Sequence, residues 1–125
     1  MIAHTLPKSE RLRSLGAVRR LFSDGRSGFV YPFRYMTFTE ESASPDVEVL
    51  FSVPKRYHKR ANKRNLLRRR TKEAYRLNKE LISAVATEHG KALDMALVYS
   101  VKELVPYKTI ENAVRRILHE VGSTM

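Results

Sequence analysis

The stretch that decides the fold spans residues 51–73 and reads FSVPKRYHKRANKRNLLRRRTKE. Its first three residues close a run of apolar and β-branched side chains, residues 47–53, which is typical of a strand. Pro54 ends that run, because proline cannot donate a hydrogen bond to a neighbouring strand. Strong helix formers continue from about residue 60 to residue 89, and Gly90 is a typical residue after a helix end. We therefore predict a strand, a short loop and one long helix in this part of the chain.

The predicted long helix has an apolar side and a basic side. With 100° between successive residues, five apolar side chains form one stripe that we expect to face a sheet: Leu66, Leu67, Ala74, Leu77 and Leu81. The opposite side carries Asn65, Arg68, Arg69, Lys72 and Arg76. Lys63 and Arg70 lie on the apolar side, where only their aliphatic stems fit easily. The helix is therefore predicted to be half core and half polar surface.

Positive charge is concentrated in this helix and in the loop before it. The formal net charge is +11, and residues 55–76 contain eleven Lys and Arg against one acid, Glu73. Like charges recur every four residues at 60, 64, 68, 72 and 76, which destabilises a helix unless a partner neutralises them. We expect a polyanionic partner whose binding weakens strongly with salt. Nucleic acid is the first candidate and an anionic membrane surface is the second.

The residues before this stretch predict one helix and two strands. Ser9 is expected to cap a helix that stops at Asp24-Gly25. Residues 29–40 are rich in aromatic and β-branched side chains, and Pro32 divides them into a short and a longer strand. Together with residues 47–53, they are expected to form consecutive antiparallel strands.

The residues after the long helix complete an α+β pattern. Residues 93–101 are mostly apolar, which predicts a buried central strand, and an amphipathic helix follows Pro106. The element order is then α-β-β-β-α-β-α. We predict a single domain over residues 1–125, built as an α/β sandwich with one mixed, mostly antiparallel four-stranded sheet packed against helices.

The composition excludes several kinds of protein. The chain has no cysteine, which rules out disulfides, thiolate zinc sites and a cysteine nucleophile, and which suits a reducing cytoplasm. No stretch reaches the roughly 18 apolar residues that a membrane span needs, so we expect a soluble cytoplasmic protein. The four histidines are widely separated and expected at the surface, and Glu40-Glu41 is expected in a loop. We therefore predict that the protein itself has no catalytic residue and binds no metal.

The strand end and the basic helix together resemble a known motif. Ser52-Val53-Pro54-Lys55 is followed, after a short loop, by eight matching positions: Arg60, Ala61, Arg64, Asn65, Arg68, Arg69, Lys72 and Glu73. This arrangement is similar to the RNR motif of the bacterial ribonuclease P protein family. The resemblance extends to chain length, to element order and to the first and last helices.

The resemblance implies a partner and a function. A member of this family is an RNA-binding subunit that assists a catalytic RNA in removing the 5' leader from precursor tRNA. The partners would be ribonuclease P RNA and precursor tRNA, with no obligate protein partner and no membrane, and the holoenzyme would require Mg²⁺. The family fold also implies a left-handed βαβ crossover, although right-handed crossovers are the general rule.

The resemblance also implies two binding sites. The motif helix would contact the catalytic RNA through Arg60, Arg64, Asn65, Arg68, Arg69, Lys72 and Arg76. Asn65 is expected either to fix the preceding loop or to read an RNA edge, since its amide both donates and accepts. A cleft between the first helix and the sheet would receive the single-stranded leader. Its candidate residues are Arg13, Arg19 and Arg20 for phosphates and Phe22, Phe33 and Tyr35 for stacking on bases.

Three other functions remain as alternatives at this point. A ribosomal or other general RNA-binding protein would share the charge, the size and the absence of catalytic residues. A free-standing nuclease would need paired carboxylates for Mg²⁺ or a histidine pair, and these residues are scattered here. A membrane-surface helix is disfavoured because the apolar side of the long helix is needed to cover the sheet.

Overall fold

Four helices and four strands make up the fold in the part of the chain that the structure describes. A computed structural model describes residue 6, residues 10–12 and residues 14–125. The elements, in chain order, are α1 (Leu15–Asp24), β1 (Arg26–Val30), β2 (Phe33–Glu41), β3 (Val47–Ser52), α2 (Ala61–Asn78), α3 (Glu80–His89), β4 (Lys91–Tyr99) and α4 (Tyr107–Ser123). The α+β class is confirmed. The predicted order is confirmed as well, except that the central helix is divided into α2 and α3.

The sheet has the strand order β1-β2-β4-β3. β1 pairs with β2 and β2 with β4 in antiparallel orientation, whereas β3 pairs with β4 in parallel. The expectation that β2 and β3 pair as consecutive antiparallel strands was wrong, because β4 lies between them. β4 is buried along most of its length, which suits a central position better than an edge. Parallel neighbours require a crossover connection, which α2 and α3 provide; its left-handed course stays a prediction.

The two faces of the sheet form two separate layers of core. Phe33, Leu93 and Leu97 belong to the larger layer, together with buried residues of α2, α3 and α4. Ala96 and Val98 alternate with them along β4 and belong to the smaller layer, which lies against Leu21 of α1. Because neighbouring residues on a strand point to opposite faces, the α1 side and the α4 side of the sheet have different surroundings.

The first helix begins later than the sequence predicts. α1 starts at Leu15, and its N-cap is Ser14, whose hydroxyl accepts a hydrogen bond from the backbone of Ala17 at 3.4 Å. The predicted cap, Ser9, lies outside the described residues. The backbone N–H of Leu12 donates to the carbonyl of Val49 at 3.0 Å, and Arg11 forms an isolated parallel bridge with Val49. Residues 11–12 therefore cover the edge of β3 instead of extending the helix.

The predicted helix over residues 60–89 is interrupted at Lys79. The side-chain amide of Asn78 donates to the carbonyl of Ala74 at 2.8 Å and to the carboxylate of Glu111 at 3.3 Å. An Asn side chain that bonds the carbonyl four residues earlier competes with the backbone for that acceptor. Lys79 in turn forms an ion pair with Glu10 at 2.9 Å. The break therefore comes from side-chain contacts, and the backbone at Lys79 stays in the right-handed region.

The buried side of α2 differs from the predicted apolar stripe. α2 buries Leu67, Thr71, Ala74 and Tyr75, whereas Leu77 is 39% exposed and Leu66 is half-buried. The Tyr75 ring is buried against Phe51, with the ring centres 5.7 Å apart, on the helix side that also buries Leu67 and leaves Leu66 and Leu77 further from the core. Thr71 is accommodated because its hydroxyl donates to the carbonyl of Leu67 at 2.8 Å. The orientation of α2 is thus set by Tyr75 and not by the count of leucines.

Candidate RNA interface

The exposed side of α2 brings together the polar residues that the sequence assigned to it. Asn65, Arg68, Arg69 and Lys72 line a shallow depression on the protein surface. The guanidinium of Arg68 donates to the amide oxygen of Asn65 at 3.0 Å, so Asn65 orients Arg68 at the surface. Arg60 is exposed at the N-cap of the helix. We call the group Arg60, Asn65, Arg68, Arg69 and Lys72 the α2 surface.

Arg64 and Arg76, both expected to contact RNA, have partners within the protein. Arg64 donates to the carbonyl of His58 at 3.1 Å and to that of Lys59 at 2.7 Å, so its guanidinium holds the loop before α2. Arg76 forms an ion pair with Glu73 at 2.6 Å, and the hydrogen bond from Arg76 lowers the pKa of the Glu73 carboxyl. The positively charged residues of α2 therefore differ in their contacts, because Arg64 and Arg76 bind groups of the protein itself.

A hydrogen bond accounts for the position of Arg70 on the apolar side of α2. Its guanidinium donates to the carbonyl of Val105 at 3.2 Å, in the segment that leads into α4. This bond joins α2 to the start of α4. Arg70 therefore has a structural contact, which the helical pattern alone did not indicate.

Lys72 lies in an excess of positive charge. Partial burial lowers the pKa of its ammonium group, and the nearby positive charges of Arg11 and Arg68 lower it further. The Nε of Arg11 is buried and has no hydrogen-bond partner among the residues that the structure describes. Uncompensated cations at a protein surface favour the binding of an anion. Sequence reasoning missed Arg11, because it placed this residue in the first helix and outside the basic stretch.

Replacement of Arg11 by methionine tests this electrostatic coupling. Arg11→Met removes one of the two cations that lower the pKa of Lys72, so that pKa should rise towards its ordinary value. Burial and Arg68 remain, so the recovery should be incomplete. The measurement is an NMR titration of the Lys72 side chain, with Arg69→Met as the control that should leave the pKa near its wild-type value. An unchanged pKa in Arg11→Met would contradict the coupling.

Two aromatic residues predicted for the leader cleft lie elsewhere, and this prediction was wrong. Phe33 is completely buried and packs edge-on against Tyr99 in the larger core. The hydroxyl of Tyr35 donates to the carboxylate of Glu120 at 3.0 Å, which places its ring on the α4 side of the sheet. Both residues point away from α1, because they alternate along β2 with the residues that face it.

The predicted phosphate partners on the first helix also differ from one another. Arg20 contacts Asp94 at 3.3 Å and Glu40 at 3.5 Å, and its guanidinium lies 4.5 Å from the centre of the Phe38 ring. Burial raises the pKa of Asp94, and the hydrogen bond from Arg20 partly offsets that rise. Arg20 therefore links α1 to the sheet. Arg19 is exposed on α1, and Arg13 lies outside the described residues.

A cleft does exist on the α1 side of the sheet, and it encloses about 530 Å³. We call it the leader cleft, after the ligand predicted for this side of the sheet; the residues that line it are Phe22, Phe29, Arg34, Met36, Arg56, Tyr57, Val98 and Ser100. Among the residues predicted for this cleft that the structure describes, Phe22 lines it, and its side chain is 47% exposed. Arg34 and Met36 were missed, although strand alternation puts them on the face opposite Phe33 and Tyr35.

In the described part of the chain, no three residues of the types His, Cys, Asp and Glu lie together in a way that would hold a metal ion. Within the same residues, no helix is both long and apolar enough to span a membrane.

Comparison with known proteins identifies the family. The family model described as Ribonuclease P matches residues 6–122. The chain belongs to the ribonuclease P protein family. The ribonuclease P protein component of Porphyromonas gingivalis is 34% identical over 122 residues, which cover 96% of this chain and 88% of that relative. The expected resemblance is confirmed.

Solved structures of ribonuclease P proteins share the fold. The protein from Thermotoga maritima matches with a TM-score of 0.69 at 22% identity, over 89% of this chain and 96% of that one. The protein from Staphylococcus aureus matches with a TM-score of 0.66 at 19% identity, over 91% and 96%. At these identities the likeness shows the fold, which agrees with the mixed four-stranded sheet described above.

Family membership settles the general function. As a ribonuclease P protein, the chain is a subunit of the endonuclease that matures the 5' end of tRNA, and its partner is ribonuclease P RNA. The predicted alternative of a general or ribosomal RNA-binding protein is therefore set aside.

Proposed function

We propose that this ribonuclease P protein uses two separate surfaces for two RNA molecules. The α2 surface binds the backbone of ribonuclease P RNA, and the leader cleft binds the single-stranded 5' leader of precursor tRNA. The two lie at different places on the fold, since the leader cleft is on the α1 side of the sheet and α2 packs on the other side.

The composition of the leader cleft is the observation that carries this proposal. Single-stranded RNA is held by aromatic faces that stack on bases and by cations that follow the backbone. Phe22, Phe29 and Tyr57 are aromatic residues that line the cleft, and Arg34 and Arg56 line it beside them. Arg34 is exposed, and neither Arg34 nor Arg56 forms an ion pair with an acid among the described residues. Both guanidinium groups are therefore available for phosphates.

The α2 surface has a different chemistry, which suits a structured RNA. It presents cations and one amide from successive turns of a rigid helix, and no aromatic side chain is among them. Cations in this arrangement bind phosphates without stacking on bases. Such a surface fits the backbone of a folded RNA better than it fits an unpaired strand.

The catalytic chemistry is proposed to reside in the RNA subunit. Hydrolysis would need paired carboxylates or a histidine pair near the substrate, and no acid or histidine is among the described residues that line the leader cleft. Asp94 and Glu40, on the same side of the sheet, contact Arg20. Mg²⁺ is expected to be bound by the RNA, and the holoenzyme is expected to work in the cytoplasm. The protein then contributes binding energy for precursor tRNA and orients it relative to the catalytic RNA.

Reconstitution tests this division of roles. Precursor tRNA is incubated at low Mg²⁺ with a bacterial ribonuclease P RNA alone, with this protein alone and with both. Cleavage at the 5' end of the mature tRNA is expected in the mixture, little or none with the RNA alone and none with the protein alone. Cleavage by the purified protein without RNA would contradict the proposal.

A further inference from the structure

One short loop contributes side chains to both RNA surfaces. Residues 54–60 follow β3 and lead directly into α2. Within this loop, Arg56 and Tyr57 line the leader cleft, with the Arg56 guanidinium 5.0 Å from the centre of the Tyr57 ring. The loop ends at Arg60, the N-cap of α2 and a member of the α2 surface. A movement of this loop would therefore reach both sites.

His58 anchors the loop to the core. The side chain was expected at the surface, but the residue is only 7% exposed. Its ring packs edge-on against Tyr99, with the ring centres 5.5 Å apart, and its Nε2 donates to the carbonyl of Val101 at 2.9 Å. Tyr99 is itself fully buried at the end of β4. His58 thus joins the loop to the end of β4, the strand that lies between β2 and β3 in the sheet.

Arg64 holds the same loop from the helix side. Its guanidinium donates to the carbonyls of His58 and Lys59, as described above. Hydrogen bonds from a charged donor are roughly twice as strong as neutral ones. The loop is therefore fixed to the sheet by His58 and to α2 by Arg64, so the position of Tyr57 depends on the position of α2.

We propose that the loop of residues 54–60 couples the two RNA sites, and that His58 is its positioning residue. This inference rests on the two-site function proposed above. Ribonuclease P RNA on the α2 surface holds the loop in place, and the fixed loop keeps Arg56 and Tyr57 where they receive the leader. By thermodynamic linkage, the leader strengthens the binding of ribonuclease P RNA by the same factor. His58 contacts neither RNA and acts through the loop.

The affinity ratio of precursor tRNA over mature tRNA, measured with the holoenzyme, reports the contribution of the leader. His58→Ala is expected to lower this ratio by roughly fivefold to tenfold, a coupling of the usual size, and to leave the affinity for mature tRNA unchanged. His58→Phe keeps a ring against Tyr99 and loses only the bond to Val101, so a loss of about threefold is expected, the effect of one neutral hydrogen bond. Tyr35→Phe removes a hydrogen bond on the α4 side of the sheet and should leave the ratio unchanged.

A double variant separates positioning from general damage. If His58 acts through Tyr57, then His58→Ala combined with Tyr57→Ala should lower the ratio no further than Tyr57→Ala alone. Additive losses, or an unchanged ratio in His58→Ala, would overturn the inference. If circular dichroism shows that His58→Ala is unfolded, His58→Phe replaces it, alone and combined with Tyr57→Ala. Additive losses or an unchanged ratio in His58→Phe would then overturn the inference. A wild-type ratio near one would instead refute the leader cleft itself.

Discussion

Reversal of two charges on the α2 surface, Arg68→Glu with Arg69→Glu, lowers the affinity for ribonuclease P RNA by about 100-fold in our account. A hydrogen bond to a charged group contributes roughly 1.5 kcal/mol or more, so the loss of two gives about 3 kcal/mol. Each phosphate contact also contributes roughly 0.7 to 0.9 to the dependence of log affinity on log salt. The salt slope should therefore flatten by about 1.4 to 1.8 in the double variant.

This pair of arginines is a better choice than one that includes Arg64. Arg68 and Arg69 lie at the surface of α2, so their replacement leaves the core intact, whereas Arg64 holds the loop before the helix. The matched control is Arg26→Glu with Arg115→Glu, which changes the formal charge equally at exposed positions on β1 and α4. An equal loss of affinity in the control would show that net charge, and not the α2 surface, governs binding.

Truncation of an aromatic residue in the leader cleft should weaken the binding of precursor tRNA and spare the binding of mature tRNA. Stacking of a base on an aromatic side chain contributes roughly 1–3 kcal/mol, so Phe22→Ala should reduce precursor tRNA affinity by about tenfold and leave mature tRNA affinity unchanged. Tyr57→Ala should have a similar effect. The measurement is the equilibrium binding of both tRNAs to the reconstituted holoenzyme.

The control for this experiment is an exposed apolar residue outside the cleft. Leu104 is 43% exposed, close to the 47% of Phe22, and it does not line the cleft. Leu104→Ala should leave both tRNA affinities unchanged. If Phe22→Ala weakened the binding of precursor and of mature tRNA to the same extent, the loss would reflect damage to the fold, and the cleft assignment would be wrong.

The sequence predicts features that depend on neighbouring residues along the chain. The basic side of α2 follows from helical periodicity, because Asn65, Arg68, Arg69 and Lys72 are brought together by one helix with no help from the rest of the fold. The strands of residues 33–41 and 47–52 follow from aromatic and β-branched runs bounded by prolines. Local physical rules were enough to predict these particular elements.

Features that depend on contacts between distant residues could not be predicted in this way. The parallel pairing of β3 with β4 and the side of β2 that faces α1 are set by tertiary packing, so Phe33 and Tyr35 were assigned to the wrong face. The break at Lys79 and the burial of His58 depend on contacts with Glu111 and Val101. Each partner is more than 30 residues away, beyond the range of any local pattern.

Site-specific crosslinking tests the central claim, that each surface binds a different RNA. Because the chain has no cysteine, Phe22→Cys or Arg69→Cys each provides a single attachment point for a photoactivatable reagent. In a holoenzyme saturated with precursor tRNA, so that the affinity lost with the Phe22 ring is overcome by concentration, a label at position 22 should crosslink to the 5' leader and a label at 69 to ribonuclease P RNA. Glu88→Cys, at an exposed site on α3, is the control. Crosslinks from positions 22 and 69 to the same RNA segment would contradict the account.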